Sequence, residues 1–392
     1  MSDVSVDAVA AETLDAIRAR GTWRRMRVLA GAQAPRMVVD GREVLLFAGS
    51  NYLDLAHHPE VTEASARAAR DFGCAAGGSR LITGNLDLHE ALEAELAEFL
   101  GTESALAFGT GYMANVGVIP ALAGQGDVIV SDALNHASII DGCKLSNAAT
   151  RVFPHGDVAA FEETVARAAR EFRRVLVVLD GVYSMDGDVA PLAKLLPIAR
   201  EHGAMTLLDD AHGTTTLGAR GRGAAEVQGV SELVDVHVGT LGKGLGAFGA
   251  FVGGSAALRE LLVNVARSFI FSCALAPPQV EAARAALRLV AREPWRREQL
   301  ALRSARLRER LGSHGISTEP STTHIVPVVI GENARTMAVC ERLLERGFYA
   351  QGIRFPSVPE GTARLRLTPM ATHTDAEIDA IADAIAEELD AA

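Results

Sequence analysis

Lysine is scarce in this sequence: three lysines stand against thirty-five arginines among 392 residues. One of the three, Lys243, lies in a run of glycines and small or apolar residues between Thr240 and Ala247. A desolvated ε-amine can lose its proton and form a Schiff base with an aldehyde, whereas a guanidinium keeps its charge at any working pH. Lys243 is therefore a candidate for covalent amine chemistry. The alternative is that a general preference for arginine has left it as an ordinary surface residue.

Cysteine pairs and long apolar runs are also missing. The four cysteines lie far apart with no CxxC spacing, which argues against a zinc site and a disulfide framework. No apolar run approaches the ~18 residues of a membrane span, and the N-terminus has no positive stretch followed by an apolar core. We therefore expect reduced, mostly buried thiols, no membrane association and a cytoplasmic location.

The net charge is −11, and lysine and arginine form no clustered basic stripe. Nucleic-acid binding needs localised positive charge to neutralise phosphates, so we expect no nucleic-acid partner. Any anionic substrate must then be bound by individual arginines. The length and the 48% apolar content are sufficient for two or three packed units.

From residue 104 onward, short β-rich runs alternate with helical patterns, which predicts an α/β fold with a mostly parallel sheet covered by helices. The runs are almost continuously apolar, as expected for strands buried on both faces. The predicted strands are 104–108, 127–131, 151–153, 175–180, 205–209, 235–240 and 248–252.

Three helices have readable features. One is predicted from Asn85 to Leu100, ending at a glycine, and a capping box at Thr374 to Glu377 opens another at the C-terminus. The arginine-rich segment 292–310 is also helical in character, and we expect its charges to form a solvated face. We predict three segments: an N-terminal arm 1–45, a large α/β domain 46–280 and a smaller C-terminal domain 281–392.

Five motifs each fit a planar, phosphorylated pyridine aldehyde. In the first, a strand runs into Gly109, Gly111 and Tyr112 and then into a helical pattern. Such a turn exposes backbone N–H groups at a helix N-terminus, where the dipole also favours a phosphate. A glycine turn after a strand is common architecture, so this motif is weak by itself.

The second motif is an acidic pair, Asp209 and Asp210, followed by His212 at the end of an apolar strand. Open α/β sheets bind their ligands at that edge. A carboxylate there favours a protonated pyridine nitrogen, which makes the ring an electron sink. We assign this role to Asp209, with His212 reaching the ring hydroxyl and Asp210 as a structural residue; a simple capping turn is the alternative.

The other three motifs also follow predicted strands. His136 could lie flat over the ring and contact a substrate carbonyl, although a lone histidine is more often an ordinary core or surface residue. Ser184 lies in a turn of glycines and acids that could hold it against the ring. In the lysine segment, Thr240 can offer a hydroxyl to the phosphate while Lys243 carries the imine.

From about residue 45 to the C-terminus, the chain resembles the α-oxoamine synthase family of pyridoxal-phosphate enzymes. The resemblance implies aminotransferase fold type I, with a mostly parallel seven-stranded sheet in a large domain and a smaller α+β C-terminal domain. It also implies pyridoxal 5'-phosphate as cofactor and no metal. The motifs that carry it, in the family's order and spacing, are residues 75–81, 131–142, 181–188, 209–213, 239–247 and 352–367.

The resemblance implies roles for individual residues. Lys243 would hold the cofactor, Asp209 would pair with its ring nitrogen, His136 would stack on the ring, and His212 and Ser184 would contact the ring hydroxyl. Gly111, Tyr112 and Thr240 would bind the phosphate side of the cofactor, and Ser272 would contact the phosphate of the cofactor in the partner subunit. Arg366 would bind the amino-acid carboxylate, and the N-terminal Arg24 would face the substrate. A homodimer with a shared site follows.

The implied reaction is a decarboxylative condensation of an amino acid, with L-alanine favoured, and an acyl thioester, with a pimeloyl group on coenzyme A or acyl carrier protein favoured. Cys273 stands where the family usually has threonine, and residues 48–55 and 353–359 depart from the family pattern near the acyl pocket. The alternatives are a 2-amino-3-ketobutyrate ligase, a 5-aminolevulinate synthase, a secondary-metabolite synthase, an aminotransferase, or a non-catalytic subunit. Retention of Lys243, Asp209 and His136 disfavours the last.

Overall fold

The computed structural model describes residues 5–390. Contacts within the chain divide it into two units. The large unit comprises residues 50–301 and 370–372, and the small unit comprises the described residues within 1–49, 302–369 and 373–392. Each unit has β-structure of its own.

The strands and helices alternate along most of the chain. The strands are β1 (Leu29–Ala30), β2 (Arg36–Val39), β3 (Arg42–Leu46), β4 (Ser104–Phe108), β5 (Val128–Asp132), β6 (Ala149–Phe153), β7 (Val175–Asp180), β8 (Met205–Asp209), β9 (Val236–Thr240), β10 (Ala250–Gly254), β11 (Val326–Gly331), β12 (Phe348–Tyr349), β13 (Gln351–Ile353) and β14 (Ala363–Leu367). The α-helices are α1 (Val6–Ala19), α2 (Pro59–Phe72), α3 (Asp87–Leu100), α4 (Gly111–Leu122), α5 (Ala137–Leu145), α6 (Val158–Glu171), α7 (Leu192–Glu201), α8 (Ala224–Val227), α9 (Ala256–Val265), α10 (Arg267–Ile270), α11 (Pro277–Arg292), α12 (Trp295–Ser313), α13 (Asn333–Glu345) and α14 (Asp375–Asp390). A short 3-10 turn covers Ser231–Leu233.

The large unit is built on a seven-stranded sheet of order β4-β10-β9-β8-β7-β5-β6. The strands from β9 to β6 are parallel neighbours, and β10 runs antiparallel to both β4 and β9. This confirms the predicted α/β fold, and each strand lies within two residues of its predicted limits. The mostly parallel seven-stranded sheet and its helical cover agree with the fold type I architecture that the resemblance implies.

Alternate residues of the central strands face two separate cores, which explains their almost continuous apolar character. Val177 on β7 packs in the core with Phe161 and Leu195, whereas its neighbour Val178 packs in the core with Val118 and Leu262. Full burial of a valine or leucine side chain stabilises the fold by about 1.5–3 kcal/mol. Both faces of the sheet therefore contribute to its stability.

The carboxyl ends of the central strands meet at one edge of the sheet. Strand β5 ends at Asp132, β7 at Asp180 and β8 at Asp209, and Asp180 is the direct partner of Asp209 in the ladder. Strand β9 ends beside them at Thr240. Because loops that follow parallel strands share one edge, the predicted site motifs converge there.

The small unit contains a sheet of order β1-β2-β3-β12 and another of order β11-β14-β13. Helix α14 opens with the predicted capping box, because Thr374 N–H donates to Glu377 Oε2 at 2.9 Å and Glu377 N–H donates to Thr374 Oγ1 at 3.3 Å. The N-terminal segment belongs to this unit because β3 pairs with β12. The predicted boundaries therefore treat the N-terminal segment as a separate arm, whereas the structure groups it with the small unit. A second difference concerns residues 281–301, which fall in the large unit because α11 packs on α2 and α3.

The prediction of a solvated face for residues 292–310 is wrong in part: Arg292 and Glu309 are exposed, but other charged side chains of the segment are not. Arg296 and Arg297 are buried and donate to backbone carbonyl groups within the large unit. Within the small unit, Arg306 and Arg310 pair with aspartates of α14 at 2.6 and 2.8 Å. Arginine tolerates this because its planar fork can satisfy several acceptors at once.

The four cysteines are all free thiols; Cys143 and Cys340 are buried, and Cys74 and Cys273 are exposed. Half of the thiols therefore depart from the expectation of mostly buried ones. Among residues 5–390, no helix combines the length and apolar character that crossing a membrane requires.

Candidate active site

Lys243 lies on a tight loop after β9. The loop is closed by backbone hydrogen bonds from Gly246 N–H to the Lys243 carbonyl at 2.8 Å and from Ala247 N–H to the Leu241 carbonyl at 2.9 Å. Gly246 has φ +62°, and a Cβ there would lie 2.4 Å from the backbone nitrogen of Ala56. Glycine is therefore required at Gly246 both for its conformation and for the close approach of the neighbouring chain.

A chain of hydrogen bonds runs from Lys243 through His212 to Tyr52. Lys243 Nζ lies 2.9 Å from His212 Nε2, and His212 Nδ1 lies 2.8 Å from Tyr52 Oη. His212 and Tyr52 are buried, and Lys243 is half-buried. An imidazole between an amine and a phenol can accept or donate a proton on either side.

Asp209 ends β8 and accepts two hydrogen bonds. Asn115 Nδ2 donates to Asp209 Oδ2 at 2.6 Å, and Ala211 N–H donates to Asp209 Oδ1 at 3.1 Å. The same Asn115 nitrogen donates to Ser138 Oγ at 2.9 Å. Asn115 is fully buried, and its Oδ1 has no hydrogen-bond partner within residues 5–390. A buried acceptor of this kind is costly unless a ligand or water completes it.

His136 caps helix α5 immediately after the loop from β5. Its backbone N–H donates to Asp180 Oδ2 at 2.7 Å, and its Nδ1 accepts from the Ser138 N–H at 3.3 Å and lies 2.7 Å from Ser138 Oγ. Desolvation lowers the pKa of His136; the Asp209 carboxylate opposes this, and the Lys243 charge adds to it. His136, Asp209 and Lys243 are thus close enough to affect one another electrostatically.

Two further buried carboxyl groups flank Asp209. Burial raises the pKa of Asp180 well above its usual range, and the Asp209 charge adds to the effect. Burial likewise raises the pKa of Asp210 to about 7, against the hydrogen bond from Ala224 N–H at 2.6 Å. A Cβ on Gly213 would lie 2.2 Å from Asp210 Oδ1, so Asp210 is enclosed by backbone. Of the acidic pair, Asp209 is therefore the member in contact with the site residues.

The glycine turn after β4 opens helix α4. Thr110 caps the helix by accepting from Met113 N–H at 3.1 Å, and Gly111 and Tyr112 are its first two residues, whose N–H groups have no acceptor inside a helix. A Cβ on Gly111 would meet nothing within 4 Å, so the space above this N-terminus is open. The Tyr112 hydroxyl donates to Asp141 Oδ2 at 2.6 Å.

The predicted hydroxyl ligands lie in ordered turns. The Thr240 hydroxyl donates to the Gly249 carbonyl at 3.1 Å and accepts from Gly242 N–H at 3.1 Å, so it braces the Lys243 loop. Ser184 lies in the turn after β7, which a bridge between Val182 and Val189 closes. Ser272 lines a small pocket together with Gly109 and other residues of the glycine turn.

Arg24 and Arg366 belong to the small unit. Arg366 is buried on the middle strand β14, opposite Pro327 and Gln351. Arg24 is exposed and lines a cavity of about 1040 Å³ within this unit, together with Arg354. Desolvation lowers the pKa of Arg354, and the nearby Arg24 charge lowers it further. The roles of both predicted arginines stay predictions.

The sequence predicts no role for three residues that contact the predicted site residues in the structure: Asn115, Tyr52 and Asp180. Each is a buried residue with a polar group inside or beside a motif that was otherwise recognised. A buried amide within the apolar helix pattern after the glycine turn is a signal that could have identified Asn115. The contact between Tyr52 and His212 has no such signal, because 160 residues separate the two.

These groups fit a phosphorylated pyridine aldehyde. The large unit offers an amine, a carboxylate with a buried partner amide, two imidazoles and an open helix N-terminus. An amine with a neighbouring imidazole suits Schiff-base chemistry, and a helix N-terminus suits a phosphate. No cluster of histidine, cysteine, aspartate or glutamate that could hold a metal ion occurs among residues 5–390.

The family model for class I and II aminotransferases matches residues 42–385. The 8-amino-7-oxononanoate synthase of Geobacter metallireducens is 51% identical over 370 residues, covering 94% of this chain and 94% of the relative. The enzyme of the same name from Methylococcus capsulatus is 47% identical over 378 residues, covering 96% and 97%.

Solved structures agree on the fold. Serine palmitoyltransferase from Sphingomonas wittichii has a TM-score of 0.92 at 36% identity, covering 98% of this chain and 97% of that one. The S. paucimobilis enzyme with a bound PLP–myriocin aldimine has the same TM-score at 34% identity and the same coverage. An 8-amino-7-oxononanoate synthase from Francisella tularensis has a TM-score of 0.76 at 25% identity, covering 89% and 98%.

The chain therefore belongs to the class I and II aminotransferase family, within its α-oxoamine synthase branch. It is a pyridoxal-phosphate enzyme of the acyltransferase type, and its Geobacter and Methylococcus relatives are 8-amino-7-oxononanoate synthases.

Proposed function

We propose that this enzyme condenses L-alanine with a pimeloyl thioester, releasing CO₂ and the free thiol and forming 8-amino-7-oxononanoate for biotin biosynthesis. The observation that carries the proposal is the cluster of Lys243, His212, Asp209 and His136 at one sheet edge, in a chain about half identical to synthases of that name. The product itself rests on that likeness.

Lys243 is assigned as the residue that holds the cofactor between turnovers and whose amine moves the proton at the substrate Cα. When bound, pyridoxal phosphate supplies an electron sink that stabilises negative charge at that carbon. Asp209 would keep the ring nitrogen protonated, and Asn115 orients its carboxylate through the 2.6 Å hydrogen bond. The fixed orientation matters because a carboxylate that must reorient during reaction stabilises charge less well.

His136 would stack on the ring, while His212 and Ser184 would contact its hydroxyl group. The phosphate would bind at the α4 N-terminus through Gly111 and Tyr112. Thr240 would bind the phosphate only after its hydroxyl has left the Gly249 carbonyl. The partner subunit's Ser272 would complete the phosphate contacts in a homodimer.

The substrates carry negative charge that the small unit can meet. Arg366 would grip the amino-acid carboxylate, because a guanidinium binds a carboxylate through two parallel hydrogen bonds. The arginine-lined cavity with Arg24 and Arg354 is proposed to receive the anionic acyl thioester. Two mutually repelling guanidinium groups there favour an anion, and this supports a charged acyl chain or carrier.

A second candidate is condensation of serine with a long-chain acyl thioester. It is favoured by the TM-score of 0.92 to serine palmitoyltransferases, against 0.76 to the Francisella 8-amino-7-oxononanoate synthase. The higher sequence identity to the synthases, at 47–51%, makes the pimeloyl reaction the first choice. The remaining α-oxoamine synthase reactions stay open as alternatives.

The amino acid and acyl group can be tested separately. Alanine, glycine and serine are each followed for Cα hydrogen exchange, and pimeloyl, acetyl, succinyl and palmitoyl thioesters of coenzyme A are each followed for thiol release. We expect exchange with alanine and release with pimeloyl thioester. Exchange with serine and release only from the palmitoyl thioester would establish the second candidate instead.

The role of Lys243 is tested with Lys243→Ala, matched by Lys194→Ala on the exposed face of α7. Borohydride reduction of the cofactor-loaded enzyme, followed by peptide mapping, should label Lys243 alone. We expect Lys243→Ala to lose both the label and at least about 1,000-fold in turnover, because the nucleophile and the proton carrier are lost together. A label on Lys144 or Lys194 would overturn the assignment.

A further inference from the structure

The hydrogen-bonded chain from Lys243 through His212 includes a buried tyrosine that none of the assigned roles uses. Tyr52 lies on the loop that follows residue 49, and its Oη lies 2.8 Å from His212 Nδ1. The loop is held by Asn51 Oδ1, which accepts the N–H groups of Leu55 and Ala56 at 3.0 and 3.1 Å. The same Ala56 lies against Gly246 of the Lys243 loop. Tyr52 is thus fixed relative to Lys243 by two routes.

The chemistry of the three groups restricts where protons lie. An ammonium group has no acceptor, so beside a protonated Lys243 the Nε2 atom of His212 must accept. The proton of the neutral ring is then on Nδ1 and is donated to Tyr52 Oη. When Lys243 transfers a proton to Nε2, a neutral amine and an imidazolium result, and the Nδ1–H donates to Tyr52 as before.

We propose that Tyr52 is a positioning residue that holds His212 in the Nδ1–H form, so that Nε2 can take the proton that Lys243 must lose before its amine can react. The phenol oxygen does for this histidine what a carboxylate does in other hydrogen-bonded histidine pairs, without adding a charge. The inference rests on the proposed role of Lys243, but it concerns the protein before any cofactor or substrate is bound.

Several other charges face Lys243. The charges of Lys243 and Asp209 both act on the same three groups, which are His136, Asp180 and Asp210. These groups set the starting acidity of the amine, and they are unchanged by a substitution at Tyr52. A shift seen on removing the Tyr52 hydroxyl therefore reports on the relay through His212.

The scarcity of lysine makes the amine measurable in the cofactor-free protein. Trinitrobenzenesulfonate modifies neutral amines, and peptide mapping resolves Lys144, Lys194 and Lys243 in one sample. In Tyr52→Phe we expect the pH midpoint of Lys243 labelling to rise by about one unit or more, so that labelling slows about tenfold below the midpoint. That is the order expected when a charged group loses a hydrogen bond. Lys144 and Lys194 should be unchanged.

The matched control is Tyr183→Phe, which removes the hydroxyl of another buried tyrosine whose ring packs edge-on against His155. It should leave the Lys243 midpoint in place. An equal shift in both variants, or none in a Tyr52→Phe protein of unchanged melting temperature, would overturn the proposal. Nitrogen-15 spectra of histidine-labelled protein, assigned with His212→Gln, provide a second readout: the proposal requires Nδ1–H in the wild type, and Nε2–H alone would refute it.

Neither outcome depends on the acyl donor or on turnover. Should Tyr52→Phe behave as expected while alanine and pimeloyl thioester fail to react, the relay stands and the proposed reaction falls. Should the reaction be established with an unshifted Lys243, the relay alone is rejected.

Discussion

The Lys243 loop depends on a close contact with a strained residue. Thr215 is a buried, β-branched residue with φ +71°, and its Oγ1 has no hydrogen-bond partner in the described part of the chain. A Cβ on Gly244 would lie 2.1 Å from that oxygen. A β-branched residue rarely adopts a left-handed conformation, so the surrounding packing must maintain it.

We predict that Gly244→Ala destabilises the cofactor-free protein by about 1–3 kcal/mol, because the added methyl overpacks against Thr215. Thr215→Gly in the same chain should restore most of that loss, since it removes the clashing hydroxyl and the backbone strain. Urea unfolding of the two single variants and the double variant measures the coupling.

Gly242→Ala is the matched control for this pair. A Cβ there would meet its nearest atoms at 3.6 and 3.8 Å, which are ordinary contacts. Its free energy of unfolding should therefore lie within about 0.5 kcal/mol of the wild-type value. Additive effects of Gly244→Ala and Thr215→Gly would contradict the proposed contact.

At the scale of elements, His155 joins two loops that carry predicted site residues. Its Nδ1 lies 2.9 Å from Oδ1 of Asp132, the last residue of β5 before the loop that leads to His136. Its Nε2 lies 2.9 Å from Asp188 Oδ2 in the turn that contains Ser184. Burial alone lowers the pKa of His155, but the two carboxylates outweigh burial and raise it to about 10.

This double ion pair predicts a pH-dependent stability. The folded pKa of about 10 exceeds the ordinary value of 6.5, so the stabilisation is complete below about pH 6.5 and is lost as the pH rises through 10. His155→Gln should therefore cost about 2–4 kcal/mol at pH 6 and much less at pH 11. Urea unfolding of the cofactor-free protein across this range measures the difference.

The control for this variant is His57→Gln, at an exposed position of the large unit. It should follow the wild-type pH profile. A His155→Gln protein whose deficit is constant from pH 6 to pH 11 would show that the charge on His155 does not stabilise the fold.

At the scale of the whole molecule, the proposed homodimer makes a surface prediction. Ile82 and Phe271 are 80% and 70% exposed, and their segments are joined where Ala274 N–H donates to the Gly78 carbonyl. Two large apolar side chains on adjoining segments are typical of a surface that a partner covers. We predict that Ile82→Glu weakens self-association by about 2 kcal/mol or more, roughly thirtyfold in Kd.

Sedimentation equilibrium of cofactor-free protein measures that change. Val152→Glu provides the control. Val152 is likewise an exposed apolar residue, at 62% exposure, but it lies on the edge strand β6 and outside the surface of Ile82 and Phe271. Equal dissociation in both variants would indicate a general effect of added charge, and a monomeric wild type would refute the dimer.

Much of this molecule could be predicted locally. The strands of the large sheet were located within two residues because parallel strands buried on both faces are nearly continuous apolar runs. The predicted polar motifs follow those strands directly, so their common edge could be inferred as well. The arginines of 292–310 could not be assigned in this way, because helical spacing does not distinguish Arg296 in the interior from an arginine in water.

The sequence by itself thus determined the fold class, the order of the motifs and the choice of one lysine among three, since each depends on residues near one another in the chain. Only the tertiary structure decided that Asn115 meets Asp209 and that Tyr52 meets His212, 94 and 160 residues apart. Those contacts depend on how the strands are ordered in the sheet and how the loops between them pack, and no local pattern of residues encodes them.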